Sequence, residues 1–251
     1  MKQPRTPYEL LRRAVAEDGA RPFVTHYDDA TGERVELSVA TFDNWVAKTA
    51  NLLQDGLAVE PGERVGVALP LHWQALVALT ACWAAGAVAV PLRQDALPAT
   101  GLAAAFVAAD RLGTVSARDV LALSLLPLGA PLPLGAPLPA GALDYAVEVP
   151  SYGDRFAPYA PVGPGEPAVE LGGAVIAHAE LVERAGAHAA AEGWTPGARL
   201  LTTREPTGAI GLTAALLAPL VLGGSVVLCR NADRGALEGR RSAERVTAEV
   251  H

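Results

Sequence analysis

Residues 61–92 read PGERVGVALPLHWQALVALTACWAAGAVAVPL, and residues 196–230 follow the same order as PGARLLTTREPTGAIGLTAALLAPLVLGGSVVLCR. Each stretch opens on Pro-Gly-x-Arg (Arg64; Arg199), runs into a short apolar strand (Val65 to Leu69; Leu200 to Thr203) and leaves it through a proline loop (Pro70; Pro206). A long apolar helix comes next (His72 to Ala85; Ile210 to Leu222). Glycine stops it (Gly86; Gly223-Gly224) before a β-branched strand (Ala87 to Val90; Ser225 to Cys229). A further helix precedes each stretch. Ser38 caps the first, whose apolar residues Phe42, Trp45, Val46, Thr49, Leu52 and Leu53 recur at helical spacing until Gly56. The second runs from His178 to Glu192 with Leu181, Val182 and Ala185 on one face. Both copies end in an arginine after the strand, Arg93 and Arg230. Two helix-strand-helix-strand units with apolar strands predict an α/β fold of mainly parallel sheets flanked by helices, joined by right-handed crossovers. Any two α/β units share that order; the common Pro-Gly-x-Arg and glycine stops point to duplication.

Outward from the repeat, Thr6, Pro7 and Glu9 supply a cap, a first-turn proline and a capping-box carboxylate for an amphipathic helix carrying Leu10, Leu11, Ala14 and Val15. Pro22 to Tyr27 and Glu33 to Leu37 read as a hairpin turned by residues 28–32. Between the copies, Leu126 to Pro137 reads LPLGAPLPLGAP. That much proline suits neither helix nor central strand, and an extended surface linker is expected, with a polyproline ligand for a partner as the alternative. The division expected is 1–125 for the first unit with its leading helix and hairpin, 126–166 for the linker and an irregular segment, and 167–251 for the second unit. Arg240 to His251 is expected to begin a further amphipathic helix.

The 251 residues are 51% hydrophobic, ample for a buried core. A formal charge of −7 without any basic stripe argues against nucleic acid as a partner. Ala75 to Leu92 and Ala209 to Leu228 are apolar enough to suggest membrane spans, but each is broken by a helix stop, so membrane insertion is not expected. Cys82 and Cys229 sit in apolar runs and read as buried thiols of a reducing, cytoplasmic compartment. His26, His72, His178, His188 and His251 show no metal-ligand spacing in the chain, so no metal site is expected. Neither Ser151 nor Ser225 has the context of a hydrolase nucleophile. Asp154-Arg155-Phe156 reads as a turn with a local ion pair, or as part of an interface.

Leu37 to Phe42, Asn51-Leu52-Leu53, Pro61 to Val65 and Ala81 to Leu92 together resemble the amino-terminal part of the adenylate-forming superfamily of acyl-CoA synthetases, peptide-synthetase adenylation domains and luciferases. Ala177-His178-Ala179-Glu180-Leu181 is similar to that family's Thr-His-x-Asn-Leu helix start, and Leu217 to Leu228 to its Leu-Leu-x-x-Leu-x-x-Gly-Gly helix-strand. The resemblance covers Tyr8 to Leu92 and Pro167 to about Val250. It implies a large amino-terminal domain and a Ser/Thr/Gly-rich loop, ending Pro-Lys-Gly, that wraps ATP phosphates with backbone N–H groups and a lysine charge.

This chain departs from that pattern. Leu171 passes through Gly172-Gly173 directly to Ala174, and the only lysines are Lys2 and Lys48. Thr202-Thr203-Arg204 stands where the family carries a histidine near the acyl group. The family's adenine and ribose motifs, hinge and lysine-bearing small domain would lie beyond His251. No catalytic residue is therefore expected. The ligand-binding candidates are Gly172, Gly173, Thr202, Thr203 and Arg204, with Arg204 as an anion holder or an ordinary surface ion-pair partner. No cofactor is expected; ATP, AMP or CoA remains a ligand class without motif support. The reading is a non-catalytic binding or regulatory module with a protein partner or a second copy. The alternative is a partial acyl-CoA synthetase or ligase completed by a partner chain, and a weaker third is a structural subunit.

Overall fold

The computed structural model describes residues 4–93, 99–133 and 138–251. Helix α1 (Pro7–Asp18) begins with the expected capping box: the Glu9 amide donates to Thr6 Oγ1 at 3.1 Å and the Thr6 amide to Glu9 Oε2 at 3.0 Å. Strands β1 (Pro22–Asp28) and β2 (Glu33–Ser38) form the antiparallel hairpin. Ser38 caps α2 (Val39–Asn51), which widens into a π-turn over Leu52–Gly56. Then follow β3 (Arg64–Ala68), α3 (Trp73–Ala85) and β4 (Val88–Pro91). All thirteen residues of α3 are buried, because it packs against α2, against β3 and β4 of one sheet, and against β1 of the other. A helix enclosed on every side is apolar on every side. That explains its resemblance to a membrane span, and no helix among the described residues is long and apolar enough to be one.

The second copy begins with strands β8 (Pro167–Leu171) and β9 (Ala174–Ala177), then α5 (His178–Ala191) and β10 (Arg199–Thr202). Its apolar helix is built in three pieces: α6 (Ala209–Leu212), a π-turn (Thr213–Leu217) and α7 (Ala218–Leu222). Pro219 explains the break in regularity. It has no N–H for the helical ladder, and the widened turn before it absorbs the mismatch. Strand β11 (Ser225–Arg230) and helix α8 (Arg234–Ala243) lead to β12 (Ala248–Val250). The helix expected from Arg240 thus starts six residues earlier and ends at Ala243, and Ala248–Val250 pairs as a parallel strand with the open edge of β10.

The glycine stops have the same geometry in both copies. The Ala87 amide donates to the Cys82 carbonyl at 2.9 Å, and the Gly224 amide to the Pro219 carbonyl at 2.9 Å. Gly86 and Gly223 are left-handed, with φ of 76° and 62°. These are paired Schellman caps, for which glycine carries no Cβ penalty. The glycines of Pro-Gly-x-Arg dock on the same helix ends, one residue apart in register: the Gly62 amide donates to the Gly86 carbonyl and the Gly197 amide to the Leu222 carbonyl, both at 2.8 Å.

Two sheets result. One runs β12-β10-β11-β1-β2. The other includes β5 (Ala104–Ala108), β6 (Asp119–Leu123) and β7 (Ala142–Asp144), and runs β7-β6-β5-β3-β4-β8-β9. Its segment β5-β3-β4-β8-β9 matches the first sheet strand for strand, including the parallel contact onto a hairpin (β4 to β8; β11 to β1). The hairpins are exchanged. Hairpin β1–β2 precedes the first copy in the chain yet lies in the sheet of the second, and β8–β9 does the reverse. Each sheet therefore draws strands from both sides of the Pro/Gly-rich segment.

Within 126–166, expected to be linker and irregular chain, β7 pairs with β6, and α4 (Tyr145–Glu148) buries Tyr145, whose hydroxyl meets Thr49 Oγ1 at 2.7 Å. Pro127–Gly129 forms a short 3₁₀ turn, while residues 134–137 of the Leu-Pro repeat lie outside the described residues.

Candidate functional site

Parallel α/β sheets bind ligands at the carboxyl ends of their strands, where loops diverge. At that end of β4 and β10 the structure holds a cavity of about 690 Å³, lined by Arg93, Arg204, Glu205, Thr207, Gly208, Ala209, Ile210 and Gly211. Arg93 arrives just past β4, and the rest come from the β10-to-α6 loop and first helical turn. Gly211 sets the wall's shape: a Cβ there would sit 1.9 Å from the Glu205 carbonyl oxygen, so the loop packs flush against the helix only because residue 211 has no side chain. Ile210 is half exposed and gives the cavity an apolar face.

Of the five candidates, Arg204 alone lines this cavity. Its Nε donates to the His251 carbonyl at 2.6 Å, so β12 steadies it through a carbonyl rather than an acidic side chain. Thr202 is buried and its hydroxyl donates to the Val250 carbonyl at 3.0 Å; Thr203 Oγ1 lies 3.4 Å from His251 Nδ1. These two threonines anchor the strand end. In the sequence Arg93 marks only the end of the repeat; its place on the same cavity as Arg204 follows from the tertiary fold.

Gly172 and Gly173 lie elsewhere, at the tip of hairpin β8–β9. Leu171 pairs with Ala174, leaving a two-residue turn with φ of 58° and 82° at the glycines. Two successive positive φ values are those of a type I′ turn, the tightest connection a hairpin uses. Where the resemblance places a phosphate-wrapping loop, the chain turns back at once. Lys48 is engaged in structure, donating to the Tyr152 carbonyl at 2.5 Å and the Pro150 carbonyl at 3.4 Å. Phe156 packs edge-on against Tyr8, 6.4 Å between centroids, and closes a second cavity of about 550 Å³ with Arg12, Asp43 and Arg155.

The fold also gathers residues that their spacing in the chain does not connect. One ligating atom from each of His26, Glu33 and His72 lies within 4.8 Å of the others. In the hairpin register His26 faces Val35 and Asp28 faces Glu33, so Glu33 is a diagonal neighbour of His26 on the same face. His72 enters from the cap of α3, where its Nδ1 accepts the Gln74 amide at 3.2 Å. Nε2 of His72 and Oε1 of Glu33 are buried without a partner, and His26 has the Leu71 backbone alone for its two nitrogens. Burial lowers the His26 pKa to about 4, against the pull of Asp28, and holds His72 well below its ordinary value, so both rings are neutral at pH 7. Burial and the charge of Asp28 raise Glu33. The hairpin alone predicts the His26–Glu33 half of this cluster; only the tertiary fold supplies His72.

Comparison with known proteins places these features. The model of the family described as AMP-binding enzyme matches residues 11–110. A TIGR03089 family protein of Mycobacterium tuberculosis strain H37Rv is 40% identical over 246 residues, which is 95% of either chain. Among solved structures, a Brucella canis acyl-CoA synthetase superposes with a TM-score of 0.79 at 18% identity, and the acetoacetyl-CoA synthetase of Streptomyces lividans with 0.77 at 22%. Each superposition covers 97% of this chain but only 46% and 42% of those proteins, so the chain spans less than half their length. At those identities the likeness is one of fold.

Proposed function

This chain belongs to the family of the mycobacterial protein, within the adenylate-forming, AMP-binding superfamily, and from that premise we propose that it is a non-catalytic cytoplasmic binding or regulatory module. The observation carrying the reading is the Gly172-Gly173 turn. Phosphoryl and adenylyl transfer depend on donors and cations fixed around the phosphates. A two-residue hairpin turn leaves no loop to wrap them, and Lys48, the one lysine in the described residues, is committed to the Pro150 and Tyr152 carbonyls. The cavity between Arg93 and Arg204, with Ile210 beside them, suits a ligand with an anionic group and an apolar part, acyl-like or nucleotide-like.

Pyrophosphate exchange over a broad carboxylate panel is expected to give no turnover by this chain alone, and turnover would overturn the reading. A thermal-shift series with ATP, AMP, CoA and acyl-CoA tests the cavity, since a ligand at 100 times its Kd adds about 2.7 kcal/mol of stability. Silence across that series would move the proposal to a protein partner or a second copy. A second reading, a partial synthetase completed by another chain, draws on the match to less than half of each solved synthetase. Adenylation appearing only when a second polypeptide is added would favour it.

A further inference from the structure

We propose that His26, Glu33 and His72 form a binding site for a divalent transition-metal cation of the zinc class. The cluster brings two imidazoles and one carboxylate, a donor set that suits zinc and its neighbours and does not suit calcium or magnesium. Its ligating atoms lie within 4.8 Å of one another. Ligands of a tetrahedral zinc stand about 3.4 Å apart, so the cluster is already close to the spacing that a bound cation needs.

The second observation is the set of unpartnered atoms. His26 and His72 are both fully buried, yet His72 Nε2 and Glu33 Oε1 have no hydrogen-bond partner, and His26 has the Leu71 backbone alone, which leaves one of its two nitrogens unsatisfied. Buried polar groups are costly unless something satisfies them, and a cation at this point satisfies one atom of each residue at once. The donor set is suitable as well: Asp28 pairs with the nearby Arg230 at 3.2 Å, and Glu33 brings a carboxylate beside the two imidazoles. Neutral imidazole is the ligating form.

The route in is from the Glu33 side, the only member of the three that retains solvent exposure. Loading has a cost in the helix cap. Because His72 Nδ1 accepts the Gln74 amide, the neutral ring carries its proton on Nε2. Binding through Nε2 shifts that proton to Nδ1, with none lost overall, and frees the Gln74 amide. Three protein ligands leave a fourth position for water or an incoming donor.

The full chain, stripped with chelator and checked for fold by circular dichroism, is titrated with Co²⁺ and Zn²⁺ separately. Expected are one cation per chain, tetrahedral Co²⁺ absorption without a thiolate band from Cys82 or Cys229, and affinity at least about tenfold weaker in Glu33→Gln. Glu33 sits on an edge strand, so this variant keeps the fold; His72→Gln is the second arm. Absence of binding by the folded wild-type chain overturns the proposal. So does binding that both variants leave unchanged, or a spectrum dominated by thiolate. Pyrophosphate exchange and acyl-ligand binding at the Arg204 cavity are separate readouts and do not bear on this one.

Discussion

Arg199 and Glu244 form an ion pair held away from water, with side chains 15% and 8% exposed, and through it the turn after α8 is tied to β10. Glu244 also accepts the Tyr27 hydroxyl at 2.5 Å and Arg34 at 3.0 Å, so one carboxylate joins β1, β2 and β10. Arg199 spends its remaining donors on Ser225 and Thr25. Removing one partner of a buried pair strands the other, and Glu244→Gln should cost about 3–5 kcal/mol in urea denaturation.

The same carboxylate predicts acid sensitivity. Burial alone would raise the Glu244 pKa, but hydrogen bonds from Tyr27, Arg199 and Arg34 outweigh it and bring it to about 2. A carboxyl whose folded pKa lies below its unfolded value stabilises the fold above the unfolded pKa and loses that contribution as pH falls. Stability should therefore decline from about pH 4.5 to about pH 2, and the decline should be shallower in Glu244→Gln.

His178 acts at higher pH. Burial, opposed by Glu9, lowers its pKa to about 4, while the unfolded chain titrates near 6.5. Between those values the unfolded state takes up a proton that the folded state refuses, so stability falls as pH drops from 6.5 towards 4. The expected loss is on the order of 3 kcal/mol, and a His178→Gln variant that folds should show a flatter profile over that window in chemical denaturation.

How far the chain announces its own structure depends on sequence range. The capping box of Thr6 and Glu9, the Ser38 cap and the glycine stops at Gly86 and Gly223 are decided within a few residues, and they are legible. Strands β5 to β7 are not, because short runs such as Ala104–Ala108 carry no period, and only a sheet edge waiting beside β3 makes them strands. Arg204 is legible as a residue at the mouth of the cavity by its place after β10. The hairpin register makes the His26–Glu33 neighbourhood legible too, whereas Arg93 and the arrival of His72 depend on tertiary contacts that no local pattern encodes.

Gly211 offers a test of the cavity. A Cβ there collides with the Glu205 carbonyl, whereas at Gly208 it meets nothing within 4 Å. Gly211→Ala should displace the 204–208 loop and abolish any thermal shift given by an acyl or nucleotide ligand, as should Arg204→Ala. Gly208→Ala should retain the shift.

Hairpin exchange makes the two copies interdependent. Residues 1–125 contain β1–β2 without β11, and residues 167–251 contain β8–β9 without β4. Each piece expressed alone should expose unpaired strands and lack cooperative unfolding by circular dichroism. Mixing them should restore part of the native signal, and an independently folded fragment would contradict this.

The pairing of Val24 with Val226 has a consequence for how the molecule is made. Strand β1 finds its parallel neighbour only after synthesis has passed Val226. Until then Phe23 and Val24, which end fully buried, sit in a hairpin whose other edge is open. Non-local pairing of this kind slows folding and prolongs exposure of sticky intermediates. Nascent chains of this protein should therefore lean on holdase chaperones until β11 has emerged, and native collapse should follow its arrival.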